Sequence, residues 1–195
     1  MTLPSSQRQV GERIRQLRTG RGLSVRTLAA ATGFSPSFIS QVEHGQVSPS
    51  IASLERIATA LGVTLGGFFT ASAPSPDAVV RATERQEITS SWSRGIIEAL
   101  GPIGGRRMLE PILITLLPGG RSGNRLHAAL GEQFAFVCDG EVTLTLPESS
   151  DALQPGDAVS IAAGTPHQWE NTASSPVRVL IVSVHTGSQS GGTSA

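Results

Sequence analysis

The chain has 195 residues, enough for one large domain or two small ones. Its fifteen basic residues, every one an arginine, cancel fifteen acidic ones to a net charge of zero, which excludes a uniformly basic nucleic-acid coat and an acidic tail protein. One cysteine, Cys138, excludes an intramolecular disulfide and a cysteine-built zinc site. No apolar run approaches the ~20 residues of a membrane span, and Met1 to Arg21 lacks the apolar stretch of a secretory signal. The sequence therefore predicts a cytoplasmic protein with no membrane partner.

Apolar residues first recur at helical spacing, as in Val10, Ile14 and Leu17 and again in Leu54, Ile57, Ala58 and Leu61. The pattern predicts helices over 6–19, 24–31, 35–44 and 50–61. Ser24 and Ser35 stand at N-cap positions, and Pro36 follows at the first helical position, where its missing N–H costs nothing. Thr32, Gly33 and Phe34 form a three-residue connection whose glycine can turn the chain sharply. Leu28, Phe34, Ile39 and Val42 supply the apolar residues between the two helices. This is a helix-turn-helix pattern.

The runs Leu28 to Gly45 (LAAATGFSPSFISQVEHG) and Ser48 to Gly62 (SPSIASLERIATALG) resemble the phage-repressor-like (XRE) family of DNA-binding domains. The resemblance implies a domain over 6–70 whose third helix enters the major groove. It gives Ser35, Pro36, Ser37 and Gln41 the positions facing bases. Gln41 is the best reader among them, since its amide can pair in bidentate fashion with adenine. The family often has a glutamine where this chain has Val25, so Arg26 beside it becomes the phosphate contact. Arg8, Arg13, Arg15, Arg18 and Arg21 are further phosphate candidates.

Composition changes at Ala71-Ser-Ala-Pro-Ser-Pro76, predicting a linker over 71–78. Before it, seven arginines face Glu12, Glu43 and Glu55, a net of +4; after it, eight arginines face twelve acids, a net of −4. A basic module thus precedes an acidic one. The acidic part carries short β-rich runs at 112–117, 134–138, 142–146 and 177–184, separated by Gly, Pro and Asp, which indicates a closed antiparallel sandwich or barrel. Residues 187–195 (GSQSGGTSA) have nothing to bury and predict a disordered tail.

Two segments, Pro118 to Gly140 and Leu153 to Asn171, resemble the paired motifs of the cupin family, a double-stranded β-helix or jelly roll, here placed over 79–186. The expected fold class is therefore a multidomain α plus β chain, an all-α helix-turn-helix bundle followed by an all-β cupin. In metal-binding cupins the inward positions are His, His and Glu, with another His from the second motif. Aligned on Gly140 and Gly164, this chain offers His127, Ala129, Gln133 and His167 there. Two ligand types are missing, and Glu132 points out of phase with Gln133, so the expectation is at most a weakly bound divalent metal on His127 and His167. The same three polar residues, His127, Gln133 and His167, are the expected effector pocket, and the room left by Ala129 suits an organic ligand. Arg106, Arg107 and Arg125 near the first motif point to an anionic one. Cys138, at odd phase to Gln133, is expected as a packed inert thiol.

The order of modules resembles a group of bacterial transcriptional regulators in which the cupin senses a ligand and dimerises. The implied function is sequence-specific regulation of transcription by a homodimer on a pseudo-palindromic operator in double-stranded DNA, its affinity modulated by a small-molecule effector, with no catalytic residue. The alternative is a mononuclear metal-dependent cupin enzyme carrying a helix-turn-helix module, against which the pair Ala129 and Gln133 argues.

Overall fold

The computed structural model describes residues 5–69, 79–101 and 108–184. The expected linker and tail lie outside them, as do Arg106 and Arg107. Four helices open the chain: α1 (Ser5–Gly20), α2 (Val25–Thr32), α3 (Pro36–Glu43) and α4 (Ile51–Ala60). Each of the last three begins at a serine whose side chain accepts a backbone N–H of the first turn: Ser24 from Thr27, Ser35 from Phe38 and Ser50 from Ser53. Each such cap contributes about 1 kcal/mol. Gly33 closes α2 in the left-handed region at φ +66°, which turns the chain into α3. Ile14, Leu28, Ile39, Leu54, Ile57 and Leu61 are fully buried between the helices.

A short 3-10 turn at Leu65–Phe68 ends the helical part. The acidic part folds into strands β1 (Glu87–Ser90), β2 (Gly95–Ala99), β3 (Leu109–Leu116), β4 (Gln133–Asp139), β5 (Val142–Thr145), β6 (Ser150–Leu153), β7 (Ala158–Ile161), β8 (Gln168–Glu170) and β9 (Val177–Val184). A six-stranded sheet runs β1-β2-β3-β9-β4-β7 and a three-stranded one β6-β5-β8, with every pairing antiparallel. Alternate residues of β9 point inward: Val177, Val179, Ile181 and Ser183 are buried. In β4 the buried set is Gln133, Ala135 and Val137. Cys138 is out of phase with them and is exposed, so the expectation of a packed thiol is corrected: the odd phase of this strand faces solvent.

The two parts are not independent bodies on a string. Their buried apolar residues form one cluster running from Val10 and Ile14 through Ile51 and Leu54 to Ile88, Leu116 and Ile181. Helix α4 makes the seam. The first N–H groups of a helix have no partner within it, and here the barrel takes two of them: Ile51 donates to Ser93 Oγ at 3.0 Å and Ala52 to the carbonyl of Ser122 at 2.8 Å. Ser90 Oγ donates back to the carbonyl of Pro49 at 2.7 Å. Gly123 lets the surfaces meet, because a Cβ there would stand 2.5 Å from the Cβ of Ala52.

Candidate functional site: the recognition helix and the barrel mouth

Helix α3 buries Ile39 and Val42 against the bundle and turns Ser35, Pro36, Ser37 and Gln41 to solvent. Arg26 is exposed near the start of α2, while Val25 is half-buried. All five residues expected to meet DNA thus lie on open surface. One phosphate candidate does not. Arg18 is buried and makes a bidentate pair with Glu43, Nε to Oε1 at 2.6 Å and Nη2 to Oε2 at 2.9 Å, and Nη1 donates to the carbonyl of Leu23 at 2.8 Å. Its donors are consumed inside the domain, which removes it from the DNA-facing set. Arg13 is half-withdrawn in the same way, its Nε donating to the carbonyl of Gly67 at 3.2 Å.

In the barrel, the two motifs converge as the strand phase requires. His127 and His167 form an antiparallel bridge, exchanging N–H···O bonds of 3.0 and 2.9 Å, so their rings stand side by side with centroids 4.8 Å apart. Gln133 joins them from the first residue of β4. All three are buried, at 5%, 1% and 3% exposure for His127, His167 and Gln133. What they surround is a side chain from the other domain. Glu55 of α4, 5% exposed, enters the barrel mouth with its Oε2 2.5 Å from His127 Nε2, and Gln133 Nε2 donates to its Oε1 at 3.4 Å.

The carboxylate that the cupin motif lacks is therefore present, carried by the helical domain. Sequence reasoning looked for it at Glu132, which is exposed. Glu55 was hidden among the charges of α4. The spacing within α4 does not set it apart, since its neighbours on that face, Ala52 and Thr59, are one buried and the other exposed.

The electrostatics of the cluster are those of a buried carboxylate among imidazoles. Burial alone pushes the Glu55 carboxyl up, but the attraction of His127 and His167, with the Gln133 hydrogen bond, outweighs it and holds the group below the usual carboxylate range. Burial pushes the His167 imidazole down, against the pull of Glu55. Its Nδ1 donates to the carbonyl of Thr165 at 3.0 Å, which leaves Nε2 as the free lone pair. His127 Nδ1 and Gln133 Oε1 are buried without a hydrogen bond, and Glu55 Oε2 has only its contact with His127 Nε2. Donor atoms of Glu55, His127 and His167 all lie within 4.8 Å of one another, close enough to meet on one cation.

Beside the cluster, the seam between the domains opens into a cavity of about 300 Å³. Phe34, Phe38 and Arg56 line it from the helical side, and Trp92, Arg125 and His127 from the barrel side. The Arg56 guanidinium lies over the Phe34 ring, 4.6 Å from its centroid. Of the three expected pocket residues, His127 faces this cavity; Gln133 lines a crevice of about 10 Å³ together with Glu55 and Ala129.

Comparisons with known proteins cover both halves. A family model described as a helix-turn-helix domain matches residues 9–66, and one described as a cupin domain matches residues 112–183. The HTH-type transcriptional regulator PuuR of Escherichia coli (strain K12) is 32% identical over 177 residues, 90% of this chain and 94% of that protein. The HTH-type transcriptional regulator SutR of the same organism is 29% identical over 158 residues, 81% of this chain and 84% of its own length. Among solved structures, an HTH_3 family transcriptional regulator from Vibrio cholerae superposes with a TM-score of 0.70 at 28% identity, covering 91% of this chain and 96% of the other.

Proposed function

The chain belongs to the helix-turn-helix transcriptional regulators that carry a cupin domain and is a DNA-binding regulator, and from that premise we propose that it reads a pseudo-palindromic operator as a homodimer under the control of a ligand held at the barrel. One module of this size covers ~600–1,000 Å² of DNA-facing surface, so useful specificity calls for two copies. Gln41 is the base reader, helped by Ser35, Ser37 and the apolar Pro36; Arg26 contacts phosphate. The barrel works by binding and not by turnover, in line with relatives named as regulators over nearly their whole length.

The observation that carries the control is Glu55. A carboxylate of the DNA-reading domain is buried among His127, Gln133 and His167, so whatever occupies the barrel mouth meets the helical domain directly. A ligand changes DNA affinity only through unequal affinity for two arrangements of the protein. A site shared by both domains supplies that inequality. The cavity beside it, lined by Arg56 from the helical domain, Arg125 from the barrel and the rings of Phe34, Phe38 and Trp92, suits an organic anion.

Fluorescence anisotropy on the DNA upstream of its own coding sequence tests the reading. The expected result is binding that prefers this DNA over a scrambled duplex at ~150 mM salt, with two chains per site; sequence-independent binding rejects it. Light scattering of the free protein reports the dimer directly.

A further inference from the structure

We propose that Glu55, His127 and His167 form a site for one divalent transition-metal ion, shared between the DNA-reading domain and the barrel. The donor set is the first reason. Two imidazoles and one carboxylate, all buried and with donor atoms within 4.8 Å of one another, are the donor types that bind iron(II), zinc(II) and their neighbours.

The second reason is unfinished bonding. Buried polar groups are almost always paired, yet Gln133 Oε1 makes no hydrogen bond at 3% exposure, and Glu55 Oε2, at 5%, meets only Nε2 of His127, another donor atom of the same site. The Thr165 carbonyl fixes the His167 tautomer so that Nε2 keeps its lone pair, the outer-shell bond expected of a metal-ligating histidine. Gln133 holds Glu55 Oε1 through its amide and is itself tied to Ser183 Oγ at 3.3 Å, which orients the carboxylate without adding charge.

The carboxylate comes from outside the barrel. Within the barrel the site is two ligands short, since Ala129 and Gln133 occupy positions where the family resemblance implies a histidine and a glutamate. Helix α4 supplies the carboxylate, so a bound ion ties the two domains at a point that neither completes alone. His127 also lines the seam cavity, so a coordination position facing it can accept a ligand from solvent. The regulatory consequence rests on the function proposed above: the ion, alone or with such a ligand, is the effector that fixes α4, and with it α3, against the barrel.

The test uses full-length protein stripped with a chelator and titrated with cobalt(II), whose visible absorption reports its ligands. The expected result is one equivalent per chain, displaced by zinc(II). Glu55→Gln and His167→Ala should each weaken cobalt affinity by at least about 100-fold, the upper end of what losing an outer-shell partner costs, whereas Gln133→Ala should stay within about tenfold. Absence of stoichiometric cobalt binding, or an unchanged affinity and spectrum in Glu55→Gln, overturns the site. Should Glu55→Gln fail to fold, Glu55→Asp keeps the charge on a shorter arm, and an unchanged cobalt spectrum there overturns the site equally.

Cobalt should change operator affinity of the wild type by at least about fivefold and leave Glu55→Gln unmoved; equal affinity with and without bound cobalt overturns the regulatory half. The metal-free wild type on operator DNA keeps the two readings apart. Specific binding there upholds the regulator even if the metal site fails. Loss of specificity in both metal-free and loaded protein rejects the regulator whatever the metal does.

Discussion

The helical domain buries two carboxylates, Glu43 and Glu55, and they differ in what they face. Glu43 is satisfied within its own domain by the fork of Arg18, two bonds that clamp α3 to α1. Glu55 faces away from its own bundle, toward His127 and His167 of the barrel. The first carboxylate serves the fold of the reading head. The second has no partner there, which marks it as a group kept for the junction. Burial by itself therefore separates nothing; the domain that supplies the partner does.

Breaking the inner pair should have the largest effect. Arg18→Ala leaves Glu43 charged and buried, a change that costs about 3–5 kcal/mol; denaturant unfolding should show the helical domain lost first. A stable variant with a reduced salt slope on DNA would instead restore Arg18 as a phosphate contact and dissolve the contrast.

The seam should be next. Gly123→Val forces a side chain against Ala52, and overpacking of this kind costs about 1–3 kcal/mol. Hydrogen exchange should then rise at the Ile51 and Ala52 amides, which the barrel accepts, while the α1–α3 pairing stays protected. Uniform loss of protection would mean that the two regions unfold as one unit.

Substitutions on the reading face should be nearly silent in stability. Gln41→Ala should remove about 1–3 kcal/mol of discrimination at one base pair per half-site without changing Tm, read by anisotropy on operator variants. Arg26→Ala should weaken every sequence alike and lower the salt slope by about one. Identical behaviour of the two would show that readers and clamps have been sorted wrongly.

Much of this was legible because it is local. Ser24, Ser35 and Gly33 fix helix ends through bonds reaching four residues or fewer, so the sequence places α2 and α3 to within a residue. Strands β3, β4, β5 and β9 show as apolar runs. Strands β1, β6 and β8 do not: they span three or four residues, and Ser150–Leu153 is mostly exposed. Cys138 shows a different limit, since strand phase tells which residues share a face but not which face is wet. Glu55 was illegible for a third reason. Its partners lie 72 residues and more along the chain, and no periodicity within α4 distinguishes a carboxylate facing water from one facing another domain.

The docking of α4 has a consequence for building hybrids. Two amides at its start end on Ser93 Oγ and the Ser122 carbonyl, with Gly123 clearing the space for Ala52. Grafting a different reading head onto this barrel therefore means transplanting more than residues 6–70. A foreign fourth helix must bring a small residue where Ala52 stands and two amides at the same height, or the barrel loops carrying Ser93, Ser122 and Gly123 must be exchanged with it. Heads and barrels of such chains are thus expected to be inherited as matched pairs.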